Sequence, residues 1–474
     1  MSSDGIDPAV LERFAEIVGP GHALTDPDDI APYVYERRGL WHGMTPLVLR
    51  PGSVSEVSRI LALATETRTP VVPQGGNTGL VGGQVPGPEG REIVLSLGRL
   101  DRIREVDTLS NTVTAEAGVI LQRLQDAADA ADRLFPLSLG SQGSCQIGGN
   151  LSSNAGGTGV LAYGNARELC LGVEVVLPTG EILDDLRKLK KDNTGYDLKN
   201  LFVGAEGTLG VITAAVLKLF PKPKGREVAW VAVASPEAAL SLFSRALDRA
   251  GNGLTAFELM ADIVIDFAVR HVPGTLRPFD QPTPWHVLVE ISSGRSAEDA
   301  RELLEQVLAE GMEEGSVSDA VIAASLSQAA AFWRLREALS DSQKPEGASI
   351  KHDIAVPVAM IPAFIEEAGR AVTSVSPDAR VVCFGHMGDG NLHYNVSQPA
   401  GASAEAFLAL YPKMHKAVHD VVRSMNGSIS AEHGIGRLKR DELIATAPPV
   451  SIDLMRRIKA AFDPAGIMNP GKVI

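Results

Sequence analysis

The chain has 474 residues, enough for two or three domains with cores of their own. Hydrophobic residues make up 45% and charged residues 22%, and 44 basic against 58 acidic side chains leave a formal charge of −14. No stripe of positive charge argues for nucleic acid, and no apolar run approaches the roughly 20 residues of a membrane-spanning helix.

The opening Met-Ser-Ser-Asp-Gly-Ile-Asp-Pro carries neither a signal-peptide core nor an Arg-rich transit pattern. Cys145, Cys170 and Cys383 are widely spaced and form no metal or redox motif, which suits buried thiols in a reducing compartment. The expectation is a cytoplasmic protein.

Along the chain, an amphipathic helix near 8–18 precedes a β-α-β pattern. A strand is expected at 46–50, then a helix capped by Ser53 with Val57, Ile60, Leu61 and Leu63 on one side, then a strand at 70–73. A second unit follows with a strand at 112–117, a helix at 119–131 and a loop around 135–143. Residues 174–183 read as strand, turn, strand. Pro221-Lys222-Pro223-Lys224-Gly225 breaks the pattern and marks the first boundary. Beyond it come strands at 228–233, 255–260 and 286–291 and helices at 236–250 and 297–311, which suggest an antiparallel sheet backed by helices. The proline-rich stretch 273–284 reads as a surface connection. Long helices are expected at 357–373 and 404–425, the latter carrying His415 and His419 one turn apart on a solvated face.

The strand at 70–73 runs into Gln74-Gly75-Gly76-Asn77-Thr78-Gly79-Leu80-Val81-Gly82-Gly83. Glycines at this density let backbone N–H groups crowd an anion without Cβ obstruction. The run is not a Walker loop, since no Gly-Lys-Ser/Thr follows, and not a Rossmann turn, since no helix opens at its end. Two further runs lie in the same half: 140–157, with Gly143, Ser144, Gly148, Gly149, Asn150, Asn154, Gly156 and Gly157, and 204–213, with Glu206, Gly210 and Ile212. Three such loops suit one long ligand with a pyrophosphate and several ring edges, such as a dinucleotide.

Phe384-Gly385-His386-Met387-Gly388-Asp389-Gly390-Asn391-Leu392-His393-Tyr394-Asn395 places a turn between two β-leaning runs. With the turn centred on Asp389-Gly390, His386 and His393 become directly opposed cross-strand partners, about 4.5–5.5 Å apart at Cβ. Asn395 shares the face of His393, and Asp389 shapes the turn. Ser430-Ala431-Glu432-His433-Gly434 offers a carboxylate beside a further histidine. Two neutral imidazoles and one carboxylate suit a catalytic zinc or a similar divalent ion.

Pro73-x-Gly-Gly-Asn-Thr-Gly-Leu80, Gly148-Gly149-Asn150 with Asn154-Ala155-Gly156-Gly157, Gly204-Ala205-Glu206-Gly207-Thr208-Leu209-Gly210, the His-x-Gly-Asp-Gly-Asn-x-His hairpin and Asn469-Pro470-Gly471-Lys472 stand in this order. Together they resemble the FAD-linked D-2-hydroxyacid dehydrogenases, which share the vanillyl-alcohol-oxidase-type flavin fold. The resemblance runs from about residue 40 to the C-terminus. It implies an α+β protein: a two-subdomain FAD-binding domain over 1–221, an antiparallel-sheet substrate (cap) domain over 222–435, and a segment over 436–474 returning to the flavin domain. Non-covalent FAD would have its pyrophosphate cradled by Gly75, Gly76, Asn77 and Thr78, with Gly79 and Leu80 continuing the loop. The 140–157 and 204–213 loops would enclose the adenosine and isoalloxazine, and Asn469 would lie near the flavin.

Within the family the pattern is similar to that of the D-2-hydroxyglutarate dehydrogenases. That implies zinc on His386, His393 and Glu432, a carboxylate clamp of Arg336 and Lys351, and substrate contacts from Asn395 and His433. The hydroxyl position between the clamp residues, often Thr in relatives, is Ser340 here and keeps a donor. By spacing alone Arg334 is as eligible as Arg336; the resemblance selects Arg336. The expected reaction is oxidation of D-2-hydroxyglutarate, with D-malate as a further substrate, and His433 as general base. D-lactate or glycolate oxidation is the alternative in the same family. A zinc hydrolase without flavin, or a flavin-bearing subunit without turnover, are alternatives of other classes. Electron-transfer flavoprotein as acceptor and a homodimer complete the expectations.

Overall fold

Ser53 caps the helix Val54–Thr67 as its spacing requires, its Oγ accepting from the Glu56 amide at 3.2 Å. The helix buries Val57, Ile60, Leu61, Leu63 and Ala64. Each of the Val, Ile and Leu side chains contributes about 1.5–3 kcal/mol on full burial. The computed structural model describes residues 5–474; the first four residues of the acidic N-terminal stretch lie outside the described residues.

The chain forms two compact units. The first comprises Met1–Gly156, Gly164–Pro221 and Glu432–Ile474; the second comprises Gly157–Tyr163 and Lys222–Ala431. The chain's passage at Pro221 and Lys222 coincides with the proline-lysine break. The return falls between Ala431 and Glu432, against the 435 and 436 expected.

In the first unit, the strand Ile93–Ser96 lies between Val48–Leu49 and Val71–Gln74 and is parallel to both, which is the β-α-β arrangement read from the sequence. A separate five-stranded antiparallel sheet runs Ile103–Asp107, Thr112–Glu116, Val211–Lys218, Cys170–Val176, Ile182–Asp185. Gly180, at φ +90°, turns the last two strands in the 174–183 stretch. The C-terminal segment returns to the first sheet: the Val71 amide donates to the Ile467 carbonyl at 2.8 Å and the Asn469 amide to the Val71 carbonyl at 2.8 Å.

The second unit is built on an eight-stranded sheet whose central path is Gly225–Val233, Trp285–Ser293, Leu254–Ala261, Arg380–His386, Asn391–Ser397. These neighbours are antiparallel, as expected. The expected 404–425 helix is two helices, Ala404–Leu408 and Tyr411–Ser424. Pro412 explains the break, since it has no N–H to continue the helix and fits only a first turn. His415 and His419 are buried rather than solvated, because they flank the apolar Met414, Val418 and Val422 on the face that packs inward. All three cysteines are free and buried. No helix among the described residues is long and apolar enough to cross a membrane.

Candidate active site

The three glycine runs meet within the first unit. A Cβ on Gly76 would stand 2.0 Å from the Ser144 carbonyl oxygen, and one on Gly75 would stand 3.6 Å from the Gly149 amide. One on Gly148 would meet the Ala117 methyl at 2.6 Å, and one on Gly83 would lie 3.2 Å from Glu206. The loops therefore close on one another, and at Gly76 the approach is one that only glycine permits. Gly210 backs onto Val175 and Val176, and Ile212 is buried in the strand Val211–Lys218. Asn150 is buried. Asn154 takes a left-handed conformation, and its Oδ1 accepts from the Arg167 amide at 2.9 Å. Gly156 ends the first unit's run, whereas Gly157 begins the short stretch grouped with the second. Thr78, Leu80, Gly143 and Ser144 occupy the loop tips as partly or fully exposed residues.

Asn469 joins this assembly. Its Nδ2 donates to the carbonyls of Gly83 at 2.9 Å and Glu206 at 2.8 Å. The Glu206 carboxylate accepts from the amides of Ile435 and Gly436, and burial pushes its carboxyl pKa up despite those two bonds. Asn77 Oδ1, Gln146 Oε1 and Asn469 Oδ1 are buried with no hydrogen-bond partner among the described residues. Buried acceptors without donors are costly. Three of them beside a glycine-lined cradle fit a ligand that brings N–H and hydroxyl donors together with a pyrophosphate, as FAD does.

The second constellation occupies one face of the second unit's sheet. His386 pairs with Asn391 and His393 with Phe384, so the two histidines are diagonal rather than directly opposed. The reason is the turn: Met387–Asp389 forms a tight helical turn closed by Gly390 at φ +85°, which moves the pairing register from the one a turn centred on Asp389-Gly390 would give. The rings still meet, with centroids 5.8 Å apart. Asp389 shapes the turn by accepting from the Asn391 amide at 3.0 Å.

Glu258, which sequence reasoning passed over, organises this face. It sits opposite His386 in the neighbouring strand Leu254–Ala261 and is fully enclosed. His386 Nδ1 lies 2.8 Å from Glu258 Oε1. The carboxylate holds a proton on Nδ1, so Nε2 is the nitrogen that would face a metal, the arrangement that orients metal-binding histidines elsewhere. Arg336, buried on the helix Leu326–Ala338, donates from Nε to Glu258 Oε2 at 2.9 Å and lies over the Phe384 ring at 5.2 Å. Burial alone would raise the Glu258 carboxyl; the adjacent His386 and Arg336 override it and hold the pKa at about 2. An acid in the largely apolar Leu254-Thr255-Ala256-Phe257-Glu258-Leu259-Met260 was the available sequence signal.

Residues 349–355 form two strand pieces, Ser349–Ile350 and Asp353–Ala355, in one continuous register against Asn391–Ser397. Lys351 falls between the pieces, half-buried, on the face of Asp353 by the strand period. Asn395 is buried and donates to Gln343 Oε1 at 3.0 Å; Asn391 donates to Asp353 Oδ1 at 3.1 Å. Gln343, Asp353 and Asn391 are further polar residues of this face that the sequence did not single out. Ser340 is exposed just beyond the Arg336 helix. Glu432 and His433 open the segment that belongs to the first unit, directly after Ala431.

A glycine-lined cradle in one unit and a sheet face bearing paired histidines and a buried arginine in the other are the parts expected of an FAD-dependent oxidoreductase. The comparisons agree. Residues 45–185 match the FAD binding domain family, and residues 222–473 match the FAD linked oxidases, C-terminal domain. The chain is 37% identical over 469 residues to the mitochondrial D-2-hydroxyglutarate dehydrogenase of Arabidopsis thaliana, covering 99% of this chain and 82% of that one. It is also 37% identical over 481 residues to a putative mitochondrial D-lactate dehydrogenase of Schizosaccharomyces pombe, covering 98% and 90%. The solved structure of p-cresol methylhydroxylase shares the fold, with a TM-score of 0.78 at 14% identity over 98% of this chain and 96% of that one. The chain belongs to the FAD-linked oxidases, among the FAD-linked D-2-hydroxyacid dehydrogenases, oxidoreductases that act on CH–OH donors.

Proposed function

We propose that the chain oxidises D-2-hydroxyglutarate to the 2-oxo acid in an FAD-dependent, metal-assisted reaction, with D-malate as a secondary substrate. The observation that carries the reading is the Glu258-His386-Arg336 group: one buried carboxylate orients both an imidazole suited to a metal and a guanidinium suited to a substrate carboxylate. The ligand set we propose is His386 and His393 from the hairpin and Glu432 from the segment after Ala431. Zinc fits two imidazoles and one carboxylate, and manganese, cobalt and iron are compatible with the same donors.

Bound FAD supplies the acceptor for the hydride leaving the substrate's C2. A divalent ion held by His386, His393 and Glu432 would supply positive charge that makes the substrate hydroxyl a stronger acid. An imidazole nitrogen of His433 takes the hydroxyl proton. Arg336 and Lys351 hold carboxylates, the guanidinium by hydrogen bonds and the ammonium as a point charge, while Ser340 and Asn395 contribute neutral hydrogen bonds. Electron-transfer flavoprotein is the proposed acceptor for the electrons, and a cytoplasmic homodimer is the proposed assembly.

A second reading, oxidation of D-lactate, has the name of the relative from Schizosaccharomyces pombe behind it, with glycolate as the smaller acid of the same alternative; equal identity to two differently named relatives does not choose the acid. Steady-state kcat/KM values for D-2-hydroxyglutarate, D-malate, D-lactate and glycolate decide it. A preference for the five-carbon diacid that Lys351→Ala reduces at least tenfold, with little change for D-lactate, supports the dicarboxylate reading. Preference for D-lactate in the wild type overturns it.

A further inference from the structure

His352, His415 and His419 form a second histidine cluster, and it lies on the opposite face of the same sheet. Side chains alternate across the strand pieces 349–355. Lys351 and Asp353 point toward the proposed catalytic face, whereas Ile350, His352 and Ile354 point away. Ile350 and Ile354 belong to the core that also contains Met414, Val418 and Val422 of the helix Tyr411–Ser424. His415 and His419, four residues apart, present both imidazoles on the helix face that packs into this core.

One ring nitrogen from each of the three lies within 4.8 Å of the others. The ring centroids stand 4.4 Å (His352 to His415), 5.4 Å (His352 to His419) and 4.9 Å (His415 to His419) apart. Three imidazoles bound at about 2.0–2.1 Å in tetrahedral directions place their ring centroids about 5 Å apart. The observed triangle has that size. All three residues are buried, His419 completely and His352 to within 1% of exposure.

The tautomer of His352 is also fixed. Its Nδ1 lies 2.8 Å from the Tyr394 carbonyl oxygen, which can only accept. Nδ1 therefore carries a proton, and in the neutral ring the lone pair falls on Nε2, whose atom is buried. A carbonyl fixing one nitrogen while the other faces two more imidazoles is the arrangement of a metal-binding histidine.

We propose that His352, His415 and His419 form a second transition-metal site, binding zinc or a metal of similar preference through three neutral imidazoles with a fourth position for water. The site ties the helix Tyr411–Ser424 to the segment 349–355 that carries Lys351. It is independent of the hairpin histidines, which lie on the other face.

The test is the metal content of the flavin-loaded full chain after chelation and reloading with zinc. Wild type, His386→Ala and the double variant H415Q/H419Q are compared by elemental analysis. H415Q/H419Q is expected to lose one equivalent of zinc while keeping its flavin, and His386→Ala is expected to keep that equivalent. One equivalent in wild type, lost in H415Q/H419Q and kept in His386→Ala, supports this site and removes the hairpin reading. The same zinc content in H415Q/H419Q as in wild type overturns the site. Should the double variant fail to fold, cobalt titration of His386→Ala decides with the cluster intact. Tetrahedral d–d bands saturating at one equivalent support the site; their absence shows a core of neutral, metal-free histidines and overturns it.

Discussion

Glu258 is the residue on which the proposed site depends. It is a buried anion held by two buried partners, and removing one member of such a group leaves the others uncompensated at a cost of about 3 kcal/mol or more. Glu258→Gln is expected to lower stability by about that amount at pH 7 and to weaken metal binding about 10–100-fold through the misoriented His386. Because the folded carboxyl sits at about 2, below its ordinary value of 4.5, its contribution is present above pH 4.5 and fades as pH falls toward 2. Denaturation of wild type and variant across this range should show the stability gap closing in acid. A gap that is unchanged at pH 3 contradicts the assignment. The sequence made His386 and Arg336 visible as residue types, but not the carboxylate that joins them, because the partner lies on a strand far away in sequence. His415 and His419 were misjudged for a related reason: a polar residue at a helix-face boundary is read as solvated unless its tertiary neighbour, here His352, is known.

At the scale of elements, the hairpin carries the argument. Its existence was legible from Gly388-Asp389-Gly390-Asn391 between two β-leaning runs, because turn chemistry is local. Its register was not, since the turn can close over different numbers of residues and only the neighbouring strands decide which. Gly390 fixes the outcome: its φ is +85°, and a Cβ there would stand 2.2 Å from the Val356 carbonyl oxygen. Gly390→Ala is therefore expected to shift the turn and displace His386 relative to His393. Metal content and turnover at saturating substrate should fall at least tenfold, while flavin content stays near one per chain, because the glycine cradle belongs to the other unit. Full activity in Gly390→Ala would separate the hairpin from the chemistry. The break at Pro412 is the complementary lesson: periodicity alone joined two helices that a single proline divides.

For the whole molecule, motif order was the strongest signal, because a ligand the length of FAD draws on loops separated by well over a hundred residues. The parallel and antiparallel sheets of the first unit bring those loops together and seat Asn469 from the far end of the chain beside Gly83 and Glu206. The family is settled by the matches over 45–185 and 222–473, and the chemistry proposed for it joins flavin, hydroxy acid and metal in one reaction. The most direct test is the visible spectrum of the purified protein under anaerobic conditions as D-2-hydroxyglutarate is added, with and without prior chelation. A flavin band is expected that bleaches on addition of the diacid and fails to bleach after chelation until a divalent ion is restored. Bleaching that is indifferent to chelation would contradict the metal-assisted mechanism, and a flavin that D-2-hydroxyglutarate leaves oxidised would contradict the substrate.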